Sequence, residues 1–144
     1  MLPHDYLTWR LTGEHVTDRG DASGTGWWSN EQYHAEILDL VGLGVDVLPP
    51  VVGPFEPIGT LRPDAADVLG LRAGVVVGPG TGDNMAAALG LALAPGDVAV
   101  SLGTSGTVYA VSARRTADPS GAVAGFADAT GRYLPLVCTL NATT

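Results

Sequence analysis

Two glycine-rich stretches hold the residues whose types and spacing could do chemistry. The first, "VVVGPGTGDNMAAALG" from Val75 to Gly90, sets Asp83 among glycines between a run that reads as a strand and a run that reads as a helix. A carboxylate in that place can act as a general base. Glycines that adopt φ > 0 let a substrate approach the main chain closely, and the amide donors left open at a helix start lie within reach of the side chain. Aspartate is also a common helix N-cap, so the local pattern leaves both roles open.

The second stretch, "VAVSLGTSGTVYAVS" from Val98 to Ser112, places Ser101, Thr104, Ser105 and Thr107 around a turn bracketed by Gly103 and Gly106. Hydroxyls and backbone N–H groups in such a turn can hold nucleotide phosphates without a charged side chain and leave room for magnesium. An ordinary hairpin would look the same. Two better-known phosphate sites are excluded by spacing. Gly78, Gly80 and Gly82 alternate, with Asp at position 83, so G-x-G-x-x-G is not met, and a chain without lysine cannot contain the P-loop signature.

These residues need elements to position them. Pro3, the Leu7/Leu11 pair and Gly13 predict a short helix over about residues 3–12. "EHVTDRGDASGTG" reads as a loop or a short strand with a turn, and its Arg19-Gly20-Asp21 tripeptide is a chance match to an adhesion motif. Ser29 and Gln32 have the form of a capping box, which predicts a helix start there. That helix is amphipathic through Tyr33, Ile37, Leu38 and Val41 and stops at Gly42. His34 on it is expected at the surface, with no metal role.

Five prolines between Asp46 and Pro63 make that segment an extended connection, followed by one or two helical turns from about Asp64. Val75, Val76 and Val77 read as a buried strand, and "NMAAALGLAL" as a helix closed by "APGD". The glycine turn at 103–106 then joins two strands, and "AVAGF" and "RYLPLVCTL" add two more, with "ADATG" as their turn. The first half is mixed and mostly helical, and the second is strand-rich.

Composition narrows the function. Fifteen acids face seven arginines, a net charge of −8, so no basic surface exists to neutralise a nucleic-acid backbone. The apolar run Met85 to Ala94 is far below the ~20 residues a membrane-crossing helix needs, and the start has no secretory signature. A cytoplasmic location is therefore expected. Cys138 has no partner for a disulfide and is expected to be a buried structural residue.

"GTGDNMAAALGLAL" and "VAVSLGTSGTVYAVS", preceded by "LPHDYLTWRLTGEHVTDRGDASGT", closely resemble the central part of the FGGY carbohydrate kinases over nearly the whole chain. The resemblance implies an α/β, actin-like ATPase (ribonuclease-H-like) fold, present in part. Residues 1–94 would be the end of the N-terminal, sugar-binding domain and 95–144 the beginning of the C-terminal, ATP-binding domain. It implies MgATP-dependent phosphorylation of a sugar hydroxyl, with D-xylulose favoured and another pentulose, a polyol or a sugar acid (ribulose, glycerol, gluconate) as the alternative. In the family's pattern Asp83 is the general base, Asn84 contacts the sugar, and Gly103, Thr104, Ser105 and Gly106 lie at the ATP phosphates, with no metal ligand among them. Sugar and ATP are then the partners, with homodimerisation of a full-length enzyme as a further expectation. Members are much longer and carry an N-terminal phosphate-binding turn and an adenosine-packing glycine pair that this chain lacks. The chain is accordingly expected to be an internal segment, inactive alone, or else a truncated binding module.

Overall fold

Pro3 at the first helical position and Gly13 in the left-handed conformation, φ 89°, bracket helix α1 (Pro3–Thr12) as predicted. The computed structural model describes residues 1–29 and 31–143, which divide into two units, Met1–Thr81 and the residues from Gly82 onward.

In the first unit, β1 (Thr17–Asp18) leads directly into helix α2 (Arg19–Gly24). The sequence pattern predicts a loop or a short strand with a turn here. The helix forms because Asp18 caps it, accepting from the Gly20 and Asp21 N–H groups at 2.8 and 3.2 Å. Arg19 is buried and its Nη2 meets Glu31 at 2.7 Å, so the Arg-Gly-Asp tripeptide is folded into the unit rather than displayed.

The predicted capping box does not form. Trp28–Ser29 (β2) pairs antiparallel with Gln32–Tyr33 (β3), and α3 (Ala35–Leu40) starts later, with His34 at its N-cap. The Ser29 hydroxyl is engaged by the His34 ring and is thereby withdrawn from backbone capping. His34 is half-buried and partnered, not a solvated surface residue.

A 3₁₀ turn at Val45–Val47 precedes the proline-rich connection, which supplies β4 (Val51–Val52), parallel to β1. It also supplies β5 (Gly59–Thr60) before α4 (Pro63–Leu69). Strand β6 (Val76–Val77) pairs with β5, but Val75 and Val76 are exposed, 44% and 65%. The expectation of a buried strand fails because the pair is only two residues deep and no layer covers its outer side among the described residues.

The second unit begins with α5 (Asp83–Gly90). It ends earlier than the pattern predicted, because the chain reverses with Ala92 at φ 53° while the Leu93 N–H closes on the Ala88 carbonyl at 3.1 Å. Four antiparallel strands follow: β7 (Val98–Leu102), β8 (Gly106–Ala110), β9 (Ala124–Ala127) and β10 (Tyr133–Thr139), in spatial order β7-β8-β10-β9. Period-2 alternation sends Tyr109, Leu134 and Leu136 inward against Met85 and Ala88 of α5, with Leu134 fully buried. Cys138 shares the inward register of those leucines but lies beyond the buried cluster. It is exposed, contrary to expectation.

Candidate active site

Gly82, not Asp83, is the N-cap of α5, so the capping role that competed with catalysis for Asp83 is taken by its neighbour. Asp83 is the first helical residue and is exposed. Its Oδ1 accepts from the Asn84 N–H at 2.7 Å and from the Asn84 side-chain amide at 2.9 Å. The Asn84 side-chain oxygen, Oδ1, in turn accepts from the Thr107 hydroxyl at 3.3 Å. The two glycine-rich stretches singled out from sequence are thus joined within one unit: the acidic motif is bonded, through Asn84, to the first turn of the strand that leaves the hairpin.

That hairpin has the predicted strands, and Leu102 pairs with Gly106 across it. Gly103, Thr104 and Ser105 form the exposed turn, and Gly106 is buried. A side chain on Gly106 would strike Ala142 at 2.9 Å and Thr139 at 3.2 Å, so packing against the chain's last described residues accounts for that glycine. The turn's carbonyls are occupied: Gly103 accepts from the Thr143 hydroxyl at 2.7 Å and Thr104 from the Ala142 N–H at 3.0 Å. Among the described residues the backbone N–H groups of Thr104 and Ser105 make no hydrogen bond, and both residues are exposed. Open donors without a nearby ion pair suit a phosphate group.

The first unit contains a polar cluster that sequence reasoning missed. His4 of α1 lies among three carboxylates: its Nε2 is 3.2 Å from Asp5 and 3.1 Å from Asp18, and its Nδ1 is 3.2 Å from Asp21. Neither Nε2 contact has the geometry of a hydrogen bond, so the pairing there is one of charge. Its contacts with Asp18, then Asp21, raise the His4 pKa to about 10 against the desolvation that lowers it. Burial alone would raise Asp18, but His4, the Thr81 hydroxyl and the Asp21 N–H outweigh it and hold the carboxyl below its usual range. Burial pushes Asp5 up, opposed by the Leu2 N–H and His4.

His4, Asp18 and Asp21 offer donor atoms within 4.8 Å of one another, a spacing a metal would accept. With His4 protonated, however, the ring is a donor and not a ligand, and the cluster is internally neutralised in part. The one sequence signal for it was Asp18 standing three residues before Asp21, at the start of what proved to be a helix.

Comparison with known proteins identifies the family. Residues 1–90 match the N-terminal domain of the FGGY family of carbohydrate kinases. A xylulose kinase of Streptomyces rubiginosus is 62% identical over 99% of this chain and 30% of its own length. Among solved structures, the xylulose kinase of Bifidobacterium adolescentis superposes with a TM-score of 0.85 at 40% identity, covering 98% of this chain and 33% of that one. The xylulose kinase of Rhodospirillum rubrum does so at 0.88 and 29% identity, covering 96% and 29%.

The fold is therefore the actin-like ATPase fold, present in part. The chain belongs to the FGGY family of carbohydrate kinases, and it spans about 30% of the length of the curated relatives it matches. No helix among the described residues is long and apolar enough to cross a membrane.

Proposed function

We propose that this chain is the base-bearing segment of an ATP-dependent sugar kinase, acting on D-xylulose with Asp83 as general base. The observation that carries the reading is the bonded series Asp83, Asn84, Thr107, which ties an exposed carboxylate to a hairpin with open phosphate-type donors. Membership of the family and relatives named xylulose kinase support the substrate class.

In this reading Asn84 orients both the carboxylate and the sugar. Asp83 accepts the hydroxyl proton as the sugar oxygen bonds to the γ-phosphorus, while the bond from that phosphorus to the β-γ bridging oxygen breaks and ADP leaves. The transition state is loose, so positioning and charge stabilisation carry most of the catalysis. Thr104 and Ser105 would hold phosphate oxygens through their N–H groups and hydroxyls, and Gly103 and Gly106 shape the turn. Magnesium would supply charge neutralisation on the phosphates. Residues 1–94 then belong to the sugar-binding domain and 95–144 open the ATP-binding one, in a cytoplasmic enzyme.

The test is Asp83→Asn in the full-length kinase carrying this segment, assayed with xylulose. Turnover is expected to fall about 10²–10⁴-fold, the usual contribution of a general base, with ATP binding unchanged. Retained xylulose phosphorylation would remove Asp83 from that role.

A further inference from the structure

Thr107 stands where the inner face of the four-stranded sheet changes character. Register sets Ala99, Tyr109 and Leu136 side by side in one row, with Tyr109 and Leu136 buried against α5 and Ala99 packed beside them. The next row toward the hairpin turn is Ser101, Thr107 and Cys138, on the same face by period-2 alternation. Valine would fill the space of Thr107 equally well, so what threonine adds is a donor. That donor is used: the hydroxyl reaches Asn84 Oδ1 at 3.3 Å, on the first turn of α5, across 23 positions of sequence.

The polarity of the series follows from the groups in it. A carboxylate only accepts, so the end of the Asn84 amide that faces Asp83 is the nitrogen, at 2.9 Å. Asn84 Oδ1 is then turned to the sheet, where a donor alone satisfies it, and Thr107 supplies one. The amide is thus held at both ends. Among the described residues its second N–H makes no hydrogen bond.

We propose that Thr107 is a positioning residue for Asp83, acting through Asn84: its hydroxyl anchors the amide to the sheet, and the anchored amide steadies the carboxylate. The proposal rests on the reading of Asp83 as general base. A displacement of about 1 Å at a reacting group can cost on the order of 10²-fold in rate. Without Thr107 the loss is partial, about tenfold, because the Asn84 backbone N–H still reaches Asp83 Oδ1 at 2.7 Å.

Thr107→Val keeps the shape and deletes the donor, whereas Thr107→Ser keeps the donor. In the full-length kinase carrying this segment, kcat with xylulose should fall about tenfold in Thr107→Val and stay within about twofold of the unsubstituted enzyme in Thr107→Ser, with KM for ATP within about twofold in both. The fall should vanish on an Asn84→Ala background, since a residue that acts through Asn84 has nothing to act on there. In the 144-residue chain, NMR relaxation of the Asn84 side-chain amide nitrogen should show its order parameter dropping by at least about 0.2 in Thr107→Val.

An unchanged order parameter, an unchanged kcat, or an equal fall on the Asn84→Ala background would overturn the positioning role and leave Asp83 as the base. A raised KM for ATP with kcat kept would overturn it too, by tying Thr107 to the hairpin turn instead. Retained turnover in Asp83→Asn would overturn both the base and its support.

Discussion

The two units hold carboxylates in opposite ways. Asp18, 3% exposed, has both oxygens committed: to the N–H groups of Gly20 and Asp21, to the Thr81 hydroxyl, and to His4. Asp83 is exposed, and among the described residues its side chain is bonded by Asn84 alone, which leaves Oδ2 open. A carboxylate saturated with donors has no lone pair to offer a ligand and serves to hold parts together. One steadied on a single oxygen is oriented and still able to accept a proton from outside. The difference separates structural acid from candidate catalyst more clearly than residue type or spacing does.

The largest effects should split along that line. Asp83→Asn is expected to cost about 10²–10⁴-fold in turnover of the full-length kinase. In the same variant the stability of the chain should change by less than about 0.5 kcal/mol, the ordinary result for an exposed site. Asp18→Ala should do the reverse in urea unfolding, destabilising the Met1–Thr81 unit by about 2–4 kcal/mol, because it removes the buried partner of the half-buried His4 charge and strips α2 of its cap. If pairing with His4 is the cause, Asp18→Ala made on a His4→Ala background should cost markedly less. Equal costs on the two backgrounds would show that the cap, not the ion pair, sets the value.

Much of the second unit was legible in the sequence, because its signals are local. Alternating apolar residues on either side of "GTSG" specify a hairpin with no help from elsewhere, and Leu134 and Leu136 fall inward by parity alone. Asp83 and Asn84 stood out because a carboxylate among glycines is unusual. The failures occur where distant contacts decide. Ser29 and Gln32 satisfy the rule for a capping box, yet Gln32 pairs with Ser29 in a hairpin and His34 claims the hydroxyl. Nothing near His4 announces that residues 18 and 21 will surround it, since the juxtaposition exists only after α1 and α2 pack. Exposure of Val76 and Cys138 was equally illegible, because apolar character predicts burial only where a covering layer is present.

The acid cluster also gives the first unit a pH dependence. A histidine raised from 6.5 to about 10 in the folded state contributes stability that is fully present below about pH 6.5 and lost as pH rises through about 10. Deprotonation removes the cation that Asp5, Asp18 and Asp21 share among the described residues. Thermal melts of the chain between pH 7 and 10 should therefore show a falling midpoint, and His4→Gln should flatten that slope. A slope of the same steepness in the variant would mean that groups outside the cluster cause it.

The smallest effect concerns the open edge of the candidate site. Cys138 pairs in register with Thr107, the residue whose hydroxyl reaches Asn84, so the thiol reports on solvent access at that end of the sheet. Being exposed, it should react with a disulfide reagent in the native chain within about threefold of its rate in the urea-unfolded chain, since access and not intrinsic chemistry would otherwise limit it. Cys138→Ser should shift stability by less than about 0.5 kcal/mol, the range of surface substitutions outside any core. A native thiol that reacts a hundredfold more slowly would show that the edge beside Asn84 and Thr107 is closed, and the contrast between a largely enclosed acid cluster and an open candidate carboxylate would then have to be abandoned.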